Sequence, residues 1–423
     1  MSPTFRSLHN KNYRLYLAGS VVSNVGTWMQ RVAQDWLVLQ LPGTGGTQLG
    51  ITTGLQFLPV LLLSPYAGVV ADRVPKRTLL QITQLSMAAS SLLLGVIAVS
   101  GHTQVWMVYL LAFTFGIGTA FDGPARQAFV SEMVGPEDLT NAVGLNSATF
   151  NVARLVGPAV AGLLIGLLGG GVRASGWVIL LNGLSYFAVI VQLRRMDGKL
   201  LHTPALRGRT PGALLEGLRY VRTQPRMLMI LVLVFFAGTF GMNFQVTSAL
   251  MATQVFGKGA GEFGILGSML AIGSLSGALL AARRPRIRIR LLILAATGFG
   301  VAEIVAGLLP SYLAFACFAP VIGFCTITLL NSSNATIQVS ADPALRGRVM
   351  ALYMTVVMGG TPIGSPIIGW IGEHMGARWT LLIGGTLVLM GVGIALVVLK
   401  RTTAAQERAV TRPVESDVAL LTL

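Results

Sequence analysis

Long apolar runs, separated by short polar gaps, follow one another along almost the whole chain. A helix rises about 1.5 Å per residue, so a hydrocarbon core about 30 Å thick is crossed by about 20 residues. Twelve runs of that kind fit, at 15–40, 48–71, 78–100, 105–124, 140–168, 176–193, 227–254, 262–282, 291–309, 311–338, 350–373 and 379–399. The pattern predicts an all-α membrane protein with twelve transmembrane helices. The longest gap, Arg194 to Arg226, divides the runs into six and six. Inside it Leu214, Leu215, Leu218 and Val221 recur at helical spacing beside Glu216, Arg219 and Arg222, which predicts a short helix lying on the membrane surface. The expected organisation is a six-helix bundle over 1–193, a cytoplasmic linker over 194–226, a second bundle over 227–400 and a cytoplasmic tail over 401–423.

A weak internal repeat supports two related halves. At a constant offset, Pro136, Leu145, Gly157, Gly162 and Gly169 correspond to Pro343, Leu352, Gly364, Gly369 and Gly376, and each segment continues to an arginine, Arg173 or Arg378. Repeats of this kind around a shared axis are a transporter architecture.

Composition agrees with the pattern: 53% of the residues are hydrophobic and 11% charged, against roughly 25% charged in a soluble domain. This excludes a soluble enzyme and a disordered chain. The net charge of +16 would suggest nucleic acid in a soluble protein, but its placement points to topology. Of 31 Lys and Arg, 26 fall in the N-terminus, the even-to-odd gaps and the C-terminal tail, whereas the other side holds Arg173, Lys258 and Arg378. Both termini are therefore expected in the cytoplasm of a cell (inner) membrane. Cys317 and Cys325 share one apolar run, as reduced packing residues. His9, His102, His202 and His374 are scattered, with no metal-ligand spacing, and no phosphate-binding loop is present. No metal and no cofactor are expected.

Three motifs carry more specific information. After run 2 come Gly68, Asp72, Arg73, Pro75, Lys76 and Arg77. Gly68 permits close helix approach, while the acid and the three bases can form ion pairs present in one conformation only. Run 4 ends near Asp122, and run 5 carries Gly144, Ala153, Gly157, Pro158 and Gly162. The first motif resembles the cytoplasmic signature of the major facilitator superfamily, with Pro75 in place of a glycine. The run 5 spacing resembles that superfamily's exporter motif, with Ala153 and Ala161 at two glycine positions. The stretch from Phe121 to Gly162 is similar to the enterobactin-exporter-like branch, the transmembrane secretion effectors. The resemblance implies two pseudo-symmetric six-helix bundles working by alternating access, a latch in which Asp122 pairs with Arg73 or Arg77, and export. An arginine that drug antiporters often carry in span 4 is replaced here by Ala112, ahead of Gly116 and Gly118.

Four charges fall at membrane depth: Arg31, Asp35, Arg154 and Glu303. Each is costly there and marks a functional hypothesis. Arg31 and Asp35, four apart, share a helix face, and about 17 residues beyond Arg14 place Arg31 about 25 Å into its span. A carboxylate beside a cavity can exchange a proton, and an arginine one turn away favours its ionised form until the two separate. Asp35 is thus the first proton-carrier candidate, against a static pair with Arg31. Arg154 is a candidate partner for the coupling carboxylate or for an anionic substrate group. Glu303, in a span that is peripheral in this fold, ranks below Asp35. Polar candidates for the cavity are Asn24, Trp28 and Gln34, then Asn243 and Gln245, then Asn331 and Asn334. Few hydrogen-bonding groups among many apolar ones suit an amphipathic organic molecule.

The expected function is proton-coupled export of amphipathic small molecules, such as drugs, siderophores or secondary metabolites, by a secondary transporter and not an enzyme. Its partners are substrate, protons and lipid, with no nucleic acid, and it is expected to act as a monomer. An uptake symporter is the alternative; a membrane enzyme would need a catalytic pair at an interface, and none is evident.

Overall fold

A computed structural model describes residues 3–202, 213–283, 289–342 and 345–410. Six long helices come first: α1 (Lys11–Gln40), α2 (Gly46–Arg73), α3 (Lys76–Ser100), α4 (Val105–Met133), α5 (Pro136–Leu167) and α6 (Val172–Arg195). The surface helix α7 (Ala213–Arg222) follows. The second half consists of α8 (Pro225–Phe236) and α9 (Phe244–Leu250), then α10 (Ala260–Ala282), α11 (Ile289–Leu308), α12 (Tyr312–Ser340), α13 (Arg346–His374) and α14 (Ala377–Val410). Among the described residues there is no strand.

Local sequence places the breaks. Pro75 cannot continue α2 and instead sits at the N-cap of α3, giving a two-residue connection. Gly101 ends α3 at φ +80°, a conformation that suits glycine. Pro136 and Pro225 stand in the first turns of α5 and α8, where a missing N–H leaves no helix bond unmade. The seventh crossing differs from its expected form as one helix over 227–254. Two π-turns, Ala237–Gly241 and Met251–Val255, interrupt it around α9. Run 4, expected to stop at 124, continues as helix through Pro124 to Met133. Asp122 and Arg126 therefore lie within α4, one turn apart, and not at its exit.

Among the described residues, eleven helical spans are long and apolar enough to cross a membrane. The remaining crossing, α1, is 30 residues long but far more polar. Two of its polar side chains bond neighbouring helices: Asn182 of α6 donates to Gln30, and Gln34 bonds Gln56 of α2 at 3.4 Å. The lipid-facing belt is apolar, with Leu167, Leu294 and Leu313 among its exposed members. The protein is a multi-pass membrane protein of twelve transmembrane helices in two six-helix bundles. In the first, α1 packs on α5 and α6 and α3 on α4 and α6; in the second, α11 packs on α12 and α14, and α8 on α14.

The halves meet through α2 against α13 and α5 against α10, and the repeated glycines explain how. A Cβ at Gly162 would lie 3.1 Å from Cα of Gly261, and one at Gly369 would lie 3.1 Å from Cα of Gly50. Each thus lets a helix of one half touch the backbone of the other. Gly157 and Gly364, a second repeated pair, press instead on the first crossing of their own half, at Val25 and Trp28 or at Thr239 and Asn243. The repeat is therefore a structural two-fold relation. Pro343, its first member in the second half, lies outside the described residues.

Further contacts line the same two seams. Thr47 N–H donates to Glu373 at 2.8 Å, Gly54 approaches Pro362, and Ser268 donates to the Leu155 carbonyl at 2.6 Å. All lie toward the face opposite the chain termini. Toward the terminal face α5 turns away from α10, so that Gly144 meets nothing within 4 Å and Phe150 is exposed.

Candidate functional site: a central cavity with two arginines and one carboxylate

Between the halves lies a cavity of about 300 Å³. From the first half α1 contributes Trp28, Arg31 and Asp35, α2 contributes Phe57, and α5 contributes Arg154 and Pro158. From the second half come Gln245 and Ser248, with an apolar wall that includes Phe244, Phe263, Leu270 and Met358. Spacing explains the first group: residues 28, 31, 32 and 35 recur at three- and four-residue steps, the period of one helix face. Three of the four membrane charges therefore converge, together with Trp28 and Gln245.

Asp35 is 2% exposed and accepts a hydrogen bond from Gln245 Nε2 of the opposite half at 3.4 Å. The expected Arg31–Asp35 pair does not form. The Arg31 guanidinium carbon instead lies 4.5 Å from the centroid of Trp28 and 5.3 Å from that of Phe57. Sharing a face brings two side chains near one another, but an arginine in an apolar cavity is also drawn to aromatic faces, and here the rings hold it. Arg31 Nε is buried with no hydrogen-bond partner. Arg154, 5.6 Å from the same Trp28 ring, makes no ion pair among the described residues.

The other candidates lie elsewhere. Glu303 is 1% exposed on α11, away from the cavity, with Oε2 unpartnered near Gly384 of α14. Gln34 faces α2, as above. Asn243 is tied into its own half, receiving the Ser365 hydroxyl at 2.7 Å and donating to the Thr239 carbonyl at 2.8 Å. Asn334 accepts from Gln338 one turn on. Asn24 and Asn331, both half-buried, do not line the cavity. A polar residue in an apolar span need not face the cavity: Gln34 and Asn243 bond a neighbouring helix, and Asn334 bonds its own.

The latch residues have different partners from those expected. Asp122 pairs with Arg126, not with Arg73 or Arg77, and accepts hydrogen bonds from Thr83 at 3.0 Å and Gln84 at 2.7 Å. Arg126 also reaches Ser20 of α1 at 3.2 Å. The extension of α4 is the cause, since it fixes Arg126 one turn beyond Asp122. Lys76 pairs with Glu132 at 3.0 Å, both nearly buried. Glu132 was missed because the sequence placed it in a loop. Arg77 donates to the Arg194 carbonyl at 3.0 Å. Arg73 is exposed, and Asp72 makes no ion pair among the described residues. Of the Arg283–Arg290 loop, residues 284–288 lie outside the described structure.

In the exporter motif, Ala153, Gly157, Pro158 and Gly162 are buried while Gly144 is exposed. Gly157 faces α1, with Trp28 Cβ 2.6 Å from where its own Cβ would be. Pro158, one residue on, faces Gly264 and Gly267 of α10. The motif thus serves two contacts, and Gly157 belongs to the one inside its own half. Gly46, Gly50 and Gly54 of α2, which the sequence reading passed over, form the corresponding stripe against α13. Their four-residue spacing was the available signal.

The sequence matches the transmembrane secretion effector family over residues 2–421. Similar proteins include macrolide efflux protein A of Streptococcus pyogenes, 24% identical over 88% of this chain and 92% of that one. The multidrug efflux pump Tap of Mycolicibacterium fortuitum is 28% identical over 92% and 95%. The staphyloferrin A transporter of Staphylococcus aureus is 24% identical over 88% and 92%. Among solved structures, a bacterial homologue of the human lysosomal transporter Spinster, inward-facing and unoccupied, superposes with a TM-score of 0.72 at 16% identity, covering 95% of this chain and 98% of that one.

Proposed function

The chain belongs to the transmembrane secretion effector family of the major facilitator superfamily, and on that premise we propose that it exports amphipathic small molecules, driven by the proton-motive force, through alternating access. The observation that carries this reading is the central cavity, built from both halves and closed on one face by the glycine contacts of α2 with α13 and α5 with α10. The apolar wall with a few polar groups supports an amphipathic cargo. The names of the relatives, two efflux pumps and a siderophore transporter, support drugs or siderophores as cargo classes.

Orientation follows from charge. In the sequence 26 of the 31 basic residues fall in the N-terminus, the even-to-odd gaps and the C-terminal tail, so the terminal face is assigned to the cytoplasm of the inner membrane. The conformation described is then closed to the outside. Asp35, at the seam between the halves, is the proton carrier in this reading, because its bond to Gln245 must change whenever the halves move. Glu303, packed inside one half, has no such coupling. Asp72 and Arg73, uncommitted here, are free to make latch contacts when the cytoplasmic side closes. The chain acts as a monomeric carrier, since both walls of the central cavity come from one polypeptide, and not as an enzyme.

The test uses inside-out vesicles containing the full chain and a fluorescent amphipathic dye. Accumulation on energisation, abolished by dissipating the proton gradient, is the expected result. Accumulation in right-side-out vesicles alone would establish the uptake symporter instead.

A further inference from the structure

Resting on the proposed function, we propose that the central cavity selects amphipathic organic anions, whose acidic group is taken by Arg31 and Arg154 and whose apolar body lies against the aromatic wall. The argument begins with charge. The cavity holds two guanidinium groups and one carboxylate, from Arg31, Arg154 and Asp35. With Asp35 ionised the site lacks one negative charge, and with Asp35 protonated it lacks two. In either state the cargo that completes the site is an anion. A charge at membrane depth without a counter-ion is expensive, and such charges are kept where a ligand or an internal partner neutralises them.

Geometry points the same way. Neither arginine forms an ion pair among the described residues, and Arg31 Nε is buried without an acceptor. Arg126, buried in α4, behaves differently: it is engaged by Asp122 and Ser20. Among the described residues, the buried guanidinium nitrogen without a partner is that of Arg31, in the cavity. Both cavity guanidiniums lie within 6 Å of the Trp28 ring, which keeps two like charges side by side in the absence of an anion. Guanidinium groups present paired N–H donors that match the two oxygens of a carboxylate or sulfonate. Phe244 and Phe263, on the opposite wall, supply the surface for a ring or alkyl body. Outward movement of such a cargo also carries negative charge down an inside-negative membrane potential.

The experiment compares two probes with one aromatic body, 8-anilinonaphthalene-1-sulfonate and the neutral N-phenyl-1-naphthylamine. Binding is measured by fluorescence titration of the full chain in phosphatidylcholine nanodiscs, with empty nanodiscs subtracted. The wild-type protein should bind the sulfonate about tenfold more tightly. That ratio should fall toward one in Arg31→Gln and Arg154→Gln, and be partly retained in Arg31→Lys and Arg154→Lys. The wild-type comparison stands even if a variant does not fold. Nanodiscs containing phosphatidylglycerol separate two sources of the anion: competition there that depends on the arginines assigns the site to a lipid headgroup, and its absence assigns it to a free organic anion. Equal affinity for both probes, or selectivity that survives both Gln variants, would overturn the anionic preference alone. Binding of neither probe would overturn the amphipathic cargo of the proposed function as well.

Discussion

At the scale of single residues, the two carboxylates buried in the membrane make opposite expectations. Asp35 is shared between the halves through Gln245, whereas Glu303 is enclosed by α11 and α14. Asp35→Asn should abolish concentrative export driven by a pH gradient yet leave binding or downhill exchange, as measured by dye flux in proteoliposomes with and without the gradient. Glu303→Gln should keep concentrative export and alter mainly stability, within the range of about 0.5–3 kcal/mol usual for single substitutions. Should Asp35→Asn still concentrate dye while Glu303→Gln cannot, the assignment is reversed. The sequence distinguishes the two poorly, because both are acids in apolar runs. Their separation needed the knowledge of which helix faces the seam. Arg31, Asp35 and Arg154 stood out in the sequence as charges at membrane depth, and Trp28 and Gln245 as polar or aromatic positions, but so did Glu303, Gln34 and Asn243, which do not line the cavity. The fate of the Arg31–Asp35 pair was not legible, since helical spacing gives proximity and says nothing of Trp28 and Phe57, which compete for the same guanidinium.

At the scale of elements, packing is decided by glycines whose partners lie far away in sequence. The number and position of the crossings were legible because apolar length maps onto bilayer thickness. The first π-turn of the seventh crossing was not, as it lies where Gly360 and Gly364 of α13 press on Gly238 and Thr239. The end of α4 was misjudged because Gly123-Pro124 reads as a stop, although the helix passes through it. A leucine at Gly162 or Gly369 would strike backbone of the opposite half, and overpacking of this kind costs about 1–3 kcal/mol. Since it acts only in the conformation described, the population should shift toward the state open at the opposite face, and export should fall about tenfold or more. Gly144→Leu, at a position with nothing within 4 Å, should leave this conformation unchanged. Gly157→Leu should act differently again, by displacing Trp28 and weakening dye binding without shifting the two states.

At the scale of the whole molecule, the two faces are held by different chemistry. The face away from the termini closes by backbone contact across glycines, with the Thr47–Glu373 hydrogen bond at its rim. The terminal face carries charge: within the first half Lys76–Glu132 joins α3 to α4, and the Asp122–Arg126 pair inside α4 bonds Thr83 and Gln84 of α3 and Ser20 of α1, while Asp72 and Arg73 remain uncommitted. Pairs within one half move as a rigid body and cannot report on opening, so only the uncommitted residues can favour one state over another. Asp72→Asn should therefore destabilise the state closed at the terminal face and leave the present one intact. Its melting temperature in detergent should match the wild type, whereas Asp122→Asn, which leaves Arg126 without its buried partner, should lower it. A single cysteine at position 150, in a background lacking Cys317 and Cys325, reads the populations, because Phe150 is exposed beside Trp28 in the present conformation. Asp72→Asn should raise the labelling rate of that cysteine from the terminal side and lower export. Unchanged labelling together with full export would remove the latch from the mechanism, leaving the glycine contacts of the opposite face as the element that sets the balance between the two states.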